Sequence, residues 1–314
     1  MLTPKQNLLE SLKKDGKPEC LNNSYTMFRG IPGDPCFKLI RGNRIRGTES
    51  YDQWGTLILF PEDAPAAVPY VTAENQVIKD VAEWQKYVKV PDLMAKCQDG
   101  WEDAIAAEKA IDHDKYLTMV VMGTGIFEQL HMLMTFEDTL MNFLLEPEAM
   151  HELIDVICEY RLTYMKLICE HLHPDCIVSH DDWGSKTSLF MNPDTWREFF
   201  KEPYRKLYDY LHSQNVIVMH HGDSYMEPIV EDMARILAST LQLSLFQYRG
   251  LTDCLPFAIS MSNGRYNLRF CLFAGLTGSY LNSICFTGGR YRLPFSIQMT
   301  GGRKCFLFFL LAIL

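Results

Sequence analysis

The stretch from Asp175 to Met233 constrains the fold more than any other. Two short apolar runs, Cys176 to Val178 and Val216 to Met219, each lead into titratable residues: His180-Asp181-Asp182 after the first, His220-His221-Gly222-Asp223 after the second. Between them Trp196, Phe199, Phe200, Tyr204, Leu207 and Leu211 recur mostly at intervals of three or four, the spacing of one helix face. Strand, helix, strand in that order is a βαβ unit, the building block of a parallel sheet. A strand that is apolar throughout is covered on both faces. The acids and histidines at its carboxyl end therefore point into the mouth of the fold, the end at which (β/α) barrels carry their sites.

The same stretch carries a family pattern. It has DDWG at 181–184, then an apolar-Asn-Pro step opening MNPDTWREFFKEPYRKL, then VIVMHHGDS, a strand ending in histidine. In this it resembles the uroporphyrinogen decarboxylase superfamily, which includes the decarboxylase and the corrinoid-linked methyltransferases related to it. The resemblance extends more loosely from about Pro4 to about Met233. It implies an α/β protein, a (β/α)8 TIM barrel of the uroporphyrinogen decarboxylase type, incomplete at the C-terminus. Residues 1–233 are expected to form the barrel domain, with 1–75 as an N-terminal cover and 76–233 as the barrel part. Residues 234–314 form a tail outside the family pattern.

The tail is set apart by composition as well. From residue 235 onward the sequence has one acid, Asp253, against eight bases, although the whole chain carries a net charge of -9. Helical periodicity stops, and the chain ends in CFLFFLLAIL, too short to cross a membrane. This composition is that of translation in a wrong frame from near Ala234; the other reading is a genuine but unusual C-terminal region. Strand loss after Met233 would expose sheet edges and favour aggregation.

Elsewhere the acidic balance and the lack of a Lys/Arg cluster argue against nucleic acid and anionic membrane partners. Ten scattered cysteines, none in a C-x-x-C pair, fit a reduced, cytoplasmic chain. Thr3 and Pro4 open a short amphipathic helix over residues 5–16. Helices are also expected within 74–90, from Trp101 to Asp112, and through Thr135 to His173, where Glu146-Pro147-Glu148 starts a helix, and strands over Thr56–Phe60 and Tyr116–Met122.

The candidate catalytic residues are Asp181, Asp182, His220 and Asp223, all at strand ends. Of the two neighbouring acids, one is expected to face the lumen and the other the adjoining loop. Trp183 either floors a substrate pocket or packs, and His221 adds a polar group beside His220. The turn GTGIFEQL lacks the third glycine of a dinucleotide site. By resemblance it lines the pocket and makes Glu128 a pocket acid; alternatively Glu128 complements its helix dipole.

Methyltransferases of this superfamily hold zinc with a His-x-Cys at the second strand end and a later cysteine. Here His220 matches the histidine, but Gly222 stands at the cysteine position. His220 remains a candidate metal ligand, with His221 and Asp223 as further donors; alternatively His220 and Asp223 only hydrogen-bond in a pocket. The decarboxylase branch places an arginine signature in the N-terminal region, which Arg29, Arg41, Arg44 and Arg46 do not reproduce. The resemblance therefore implies a methyltransferase or demethylase component acting with a corrinoid protein on a small methyl donor or acceptor. The alternatives are uroporphyrinogen decarboxylation in porphyrin biosynthesis and a non-functional, frameshifted product.

Overall fold

The computed structural model describes residues 1–12, 16–20, 27–222 and 225–237, and the strands Ser244–Arg249, Cys254–Ser262, Arg265–Phe270 and Ile284–Thr287. Its main sheet is built on three consecutive parallel strands, β5 (Leu117–Met122), β6 (Cys176–His180) and β7 (Ile217–Gly222). β6 is buried along its length up to His180, as expected of a parallel strand covered on both faces. Its register sets Ser179 beside His220 and His180 beside His221. The two polar strand ends seen in the sequence therefore lie side by side.

The strand β1 (Phe28–Gly30) pairs in parallel with the outer side of β5, so the region expected as a cover also contributes a barrel strand. The rest of that region forms a small antiparallel sheet, β2 (Thr48–Tyr51), β3 (Leu57–Phe60) and β4 (Val68–Pro69). Buried Thr56 ties this sheet to the barrel by donating to the Met132 carbonyl at 2.9 Å, and Trp54 packs edge-on against Tyr160.

The crossover between β6 and β7 follows its sequence signals. Asn192 accepts from the Asp194 N–H at 2.9 Å and Pro193 fills the first turn, starting the helix Pro193–Phe199. Phe200 separates it from the helix Lys201–Ser213. Trp196, Phe199, Phe200, Tyr204, Leu207, Tyr208 and Leu211 are all buried, with Phe199 packed on Phe143 and His151 of neighbouring helices; burying a Leu or Phe contributes roughly 1.5–3 kcal/mol of transfer free energy.

Other expectations are corrected in detail. Over the described residues the opening helix is Pro4–Leu12, capped by Thr3, whose hydroxyl accepts from the Gln6 N–H, and residues 13–15 of the expected span lie outside the described residues. The region 74–90 holds only a 3-10 helix, Val81–Lys86, because Glu83 leaves helical geometry and Asp80 caps the first turn. The helical region from Thr135 holds two helices, Phe136–Leu145 and Pro147–Leu172, the second starting at Glu146-Pro147 as expected. They part at Glu146, since the residue before a proline disfavours helix.

The regular succession runs past Met233. The helix Val230–Leu237 buries Met233, Ala234, Ile236 and Leu237, and β8 (Ser244–Arg249) pairs in parallel with β7. The edge of β7 is thus covered. Beyond it the pattern changes: β9 (Cys254–Ser262), β10 (Arg265–Phe270) and β11 (Ile284–Thr287) pair antiparallel in sequence order, whereas a (β/α)8 barrel is parallel throughout. Among the described residues no helix is long and apolar enough to cross a membrane.

Candidate active site

The carboxyl ends of β5, β6 and β7 meet in two layers. The lower layer centres on Asp181, which is fully buried. One of its oxygens accepts from the Phe127 N–H at 3.0 Å, the Trp183 Nε1–H at 2.9 Å and the Tyr204 hydroxyl at 2.6 Å. The other accepts from the Glu128 N–H at 3.0 Å. Asp181 thereby caps the helix Ile126–Leu133 from another strand, meeting donors that a helix start leaves unpaired. The fit requires Gly125, where an added Cβ would come 2.0 Å from the Asp181 carboxyl carbon. Burial, then the charge of Glu128, push the Asp181 pKa up, against the pull of its donors.

Trp183 and His220 belong to the same layer. Both are fully buried, with rings stacked 4.6 Å apart, and His220 Nδ1 lies 2.7 Å from the Tyr208 hydroxyl. Burial, helped by the positive neighbours His180, His221 and Arg161, holds the His220 pKa well below the usual value. Arg161 is buried as well, donating to the Thr124 carbonyl and to Ser179 Oγ at 3.2 Å. Thr124 sits at φ 57, a conformation that a β-branched side chain rarely adopts. The Arg161 contact braces this turn of the mouth.

The upper layer is half-buried and holds Glu128, His180, Asp182 and His221. His180 Nδ1 lies 3.0 Å from Glu128 Oε2, and His180 Nε2 lies 3.9 Å from Asp182 Oδ2. The His180 and His221 rings stack at 4.8 Å. Glu128 also accepts from the Gly125 N–H at 2.8 Å, so besides meeting His180 it is the closing half of a capping box. Burial pulls the His180 pKa down, but the hydrogen bond to Glu128 and the charges of Glu128, Asp182 and Asp181 outweigh it and raise the pKa to about 9. Burial likewise opposes ionisation of Glu128, yet His180 brings its pKa to about 2.

The structure therefore divides the expected site. Glu128, Asp182 and His221 reach the rim. Asp181, Trp183 and His220 form the floor beneath it, and Trp183 packs rather than facing an open pocket. Asp223 lies outside the described residues. His180 was missed as a site residue: the sequence shows it as the last strand position, and only the register with β7 and the turn after β5 bring it to Glu128.

The thiolate zinc set does not fit. A Cβ at Gly222 would come within 2.9 Å of the Met226 methyl carbon and 3.2 Å of the Asp181 carbonyl, and His220 is engaged with Tyr208 deep in the floor. The donor atoms that do gather, among the described residues, are one each from Glu128, His180 and Asp182, all within 4.8 Å of one another.

One arginine of the N-terminal region also reaches the mouth. Arg41 lies against Gly123, just past β5, with its guanidinium 3.2 Å from where a Cβ would stand. Its Nε is buried without a hydrogen-bond partner among the described residues. By contrast Arg29 lies over the Tyr116 ring, and Arg46 binds the Glu62 and Ala64 carbonyls.

Parallel strands, outer helices and titratable groups at the carboxyl strand ends define an α/β protein of the barrel class with its site at the mouth. A model of the uroporphyrinogen decarboxylase (URO-D) family matches residues 55–245, more than half of the chain. The chain belongs to that family. The match ends within β8, past the expected limit at Met233 and just before the antiparallel strands begin. No curated protein matches the sequence.

Proposed function

We propose that this chain is a methyltransferase or demethylase component that holds a small methyl donor or acceptor at the mouth and works with a corrinoid protein docked over the opening. The reading is supported above all by the rim, where Glu128, His180, Asp182 and His221 converge over a sealed floor. Such a rim binds and polarises one heteroatom, the nitrogen, oxygen or sulfur that carries or receives the methyl group. Asp182 and His180 face that atom, and Glu128 fixes the His180 ring. Asp181 and His220 act from below by holding the helix start and Trp183 in place. The corrinoid partner supplies the cobalt centre that exchanges the methyl group.

One observation favours a second reading. Arg41, with its unpartnered Nε beside Gly123, is placed to meet an anionic group, as decarboxylation of a polycarboxylate requires.

One assay separates the two. The full chain is incubated with reduced cobalamin and a panel of methyl amines, ethers and thioethers, and separately with a porphyrinogen acid while released CO2 is counted. Methylation of cobalamin is expected, with Asp182→Asn slowing it by ~100-fold or more, the range of a lost acid–base or polarising group. CO2 release without cobalamin methylation overturns the proposal in favour of decarboxylation.

A further inference from the structure

The rim has a feature that an ion pair alone does not explain. Among the described residues His180 is hydrogen-bonded on one side only: Nδ1 reaches Glu128 at 3.0 Å, while Nε2 and Asp182 Oδ2 stand 3.9 Å apart. That gap is too long for a hydrogen bond. It is the span of two metal–ligand bonds, which place donor atoms about 3.4 Å apart at a tetrahedral angle and about 4.2 Å apart when opposite each other. The other half of the arrangement also has a known use. An imidazole that gives one ring N–H to a carboxylate has its tautomer and tilt fixed, leaving the second nitrogen as the ligand. Glu128 provides that carboxylate, and is itself held by the Gly125 N–H at 2.8 Å.

We infer that Glu128, His180 and Asp182 form a divalent-cation site, with His180 Nε2 and Asp182 as ligands and Glu128 closing the group and orienting the ring. This rests on the reading of the mouth as the substrate face. One imidazole and one carboxylate, with no thiolate, suit first-row ions such as Zn2+, Mn2+ or Fe2+ over Mg2+, which prefers oxygen ligands and keeps its water. The site differs in residues, strand and donor chemistry from the His-x-Cys arrangement that the sequence fails to complete. Its place is the rim of β6 and the helix after β5, where a bound cation would face the mouth and take one heteroatom of a substrate as a further ligand.

The test is calorimetric titration of Zn2+ into the full chain after chelator treatment, at neutral pH, with Mg2+ titrated in parallel. One Zn2+ per chain is expected, bound at least tenfold more tightly than Mg2+. Asp182→Asn and His180→Gln should each weaken Zn2+ binding by tenfold or more. Glu128→Gln should weaken it by ~10–100-fold, the usual effect of losing an outer carboxylate. His151→Gln, a surface histidine outside the rim, should leave it unchanged. Circular dichroism and a thermal melt of each variant establish that it is folded. Zn2+ binding that survives in folded Asp182→Asn and His180→Gln overturns the site, as does binding no stronger than that of Mg2+. The two proposals fail separately. Cobalamin methylation undiminished by chelator in a chain that binds no Zn2+ removes the cation and leaves the methyl-transfer reading. Rim-dependent Zn2+ binding without methylation does the reverse.

Discussion

Asp181 and Asp182 are neighbours in sequence and belong to different layers of the same strand end. Asp181 is fully enclosed and spends both oxygens on donors from three elements. Asp182 is half-buried and faces His180 across 3.9 Å. The histidines divide in the same way: His220 is sealed between Trp183 and Tyr208, while its neighbour His221 stacks on His180 at the rim. Each pair shares a composition and differs in environment. The floor is a fixed platform whose groups are consumed by one another, whereas the rim keeps its groups half-exposed. A polar residue type at a strand end therefore does not specify a role until its burial and donors are known.

The contrast is broken most forcefully at Asp181. Its replacement by Ala strands the Phe127 and Glu128 N–H groups, the Trp183 indole and the Tyr204 hydroxyl, and should cost about 3–5 kcal/mol of unfolding free energy by denaturant titration. Gly125→Ala should follow, at ~1–3 kcal/mol, because its methyl group would overlap the Asp181 carboxylate.

His220 offers a pH test of the floor. The unfolded chain binds a proton at this residue below about 6.5, and the folded chain does not. Its contribution is therefore complete above that pH and is lost as pH falls below it, by at most ~1.4 kcal/mol per pH unit. His220→Gln should reduce the acid-side loss of stability in melts compared between neutral pH and pH ~5. An unchanged slope would contradict a neutral buried imidazole. The smallest effect is expected at Asp182, where Asn should shift stability by only ~0.5 kcal/mol, as for residues away from buried networks.

Much of this was legible in the sequence. The apolar runs before His180 and His220, the Asn192-Pro193 start and the aromatic face from Trp196 to Leu211 each report local rules of strand, cap and helix, and all appear, the aromatic face being shared by two helices that part at Phe200. Glu128, left evenly between pocket acid and helix-start acid, meets both the Gly125 N–H of its own helix start and the His180 ring. What stayed hidden depends on long-range contact. Nothing near Asp181 announces that its partners are Phe127, Glu128 and Tyr204, tens of residues away. The alternation of a strand predicted that the two acids part company, but not that Asp181 would be consumed as a cap. Arg41 likewise gains meaning only because the helix Pro35–Arg41 ends against Gly123. At the far end, the change of composition after residue 235 is real in the sequence, yet the buried helix Val230–Leu237, the parallel strand β8 and the family match all continue across it.

The division of labour between floor and rim is tested most directly by one paired measurement. Asp181→Asn and Asp182→Asn are each assayed for unfolding free energy and for Zn2+ affinity. The account predicts that the first loses about 2–4 kcal/mol of stability, since the amide turns a donor toward donors, while the second keeps its stability and loses Zn2+ binding by tenfold or more. Equal destabilisation by the two substitutions, or a stable Asp182→Asn protein that binds Zn2+ as tightly as the parent, would contradict it.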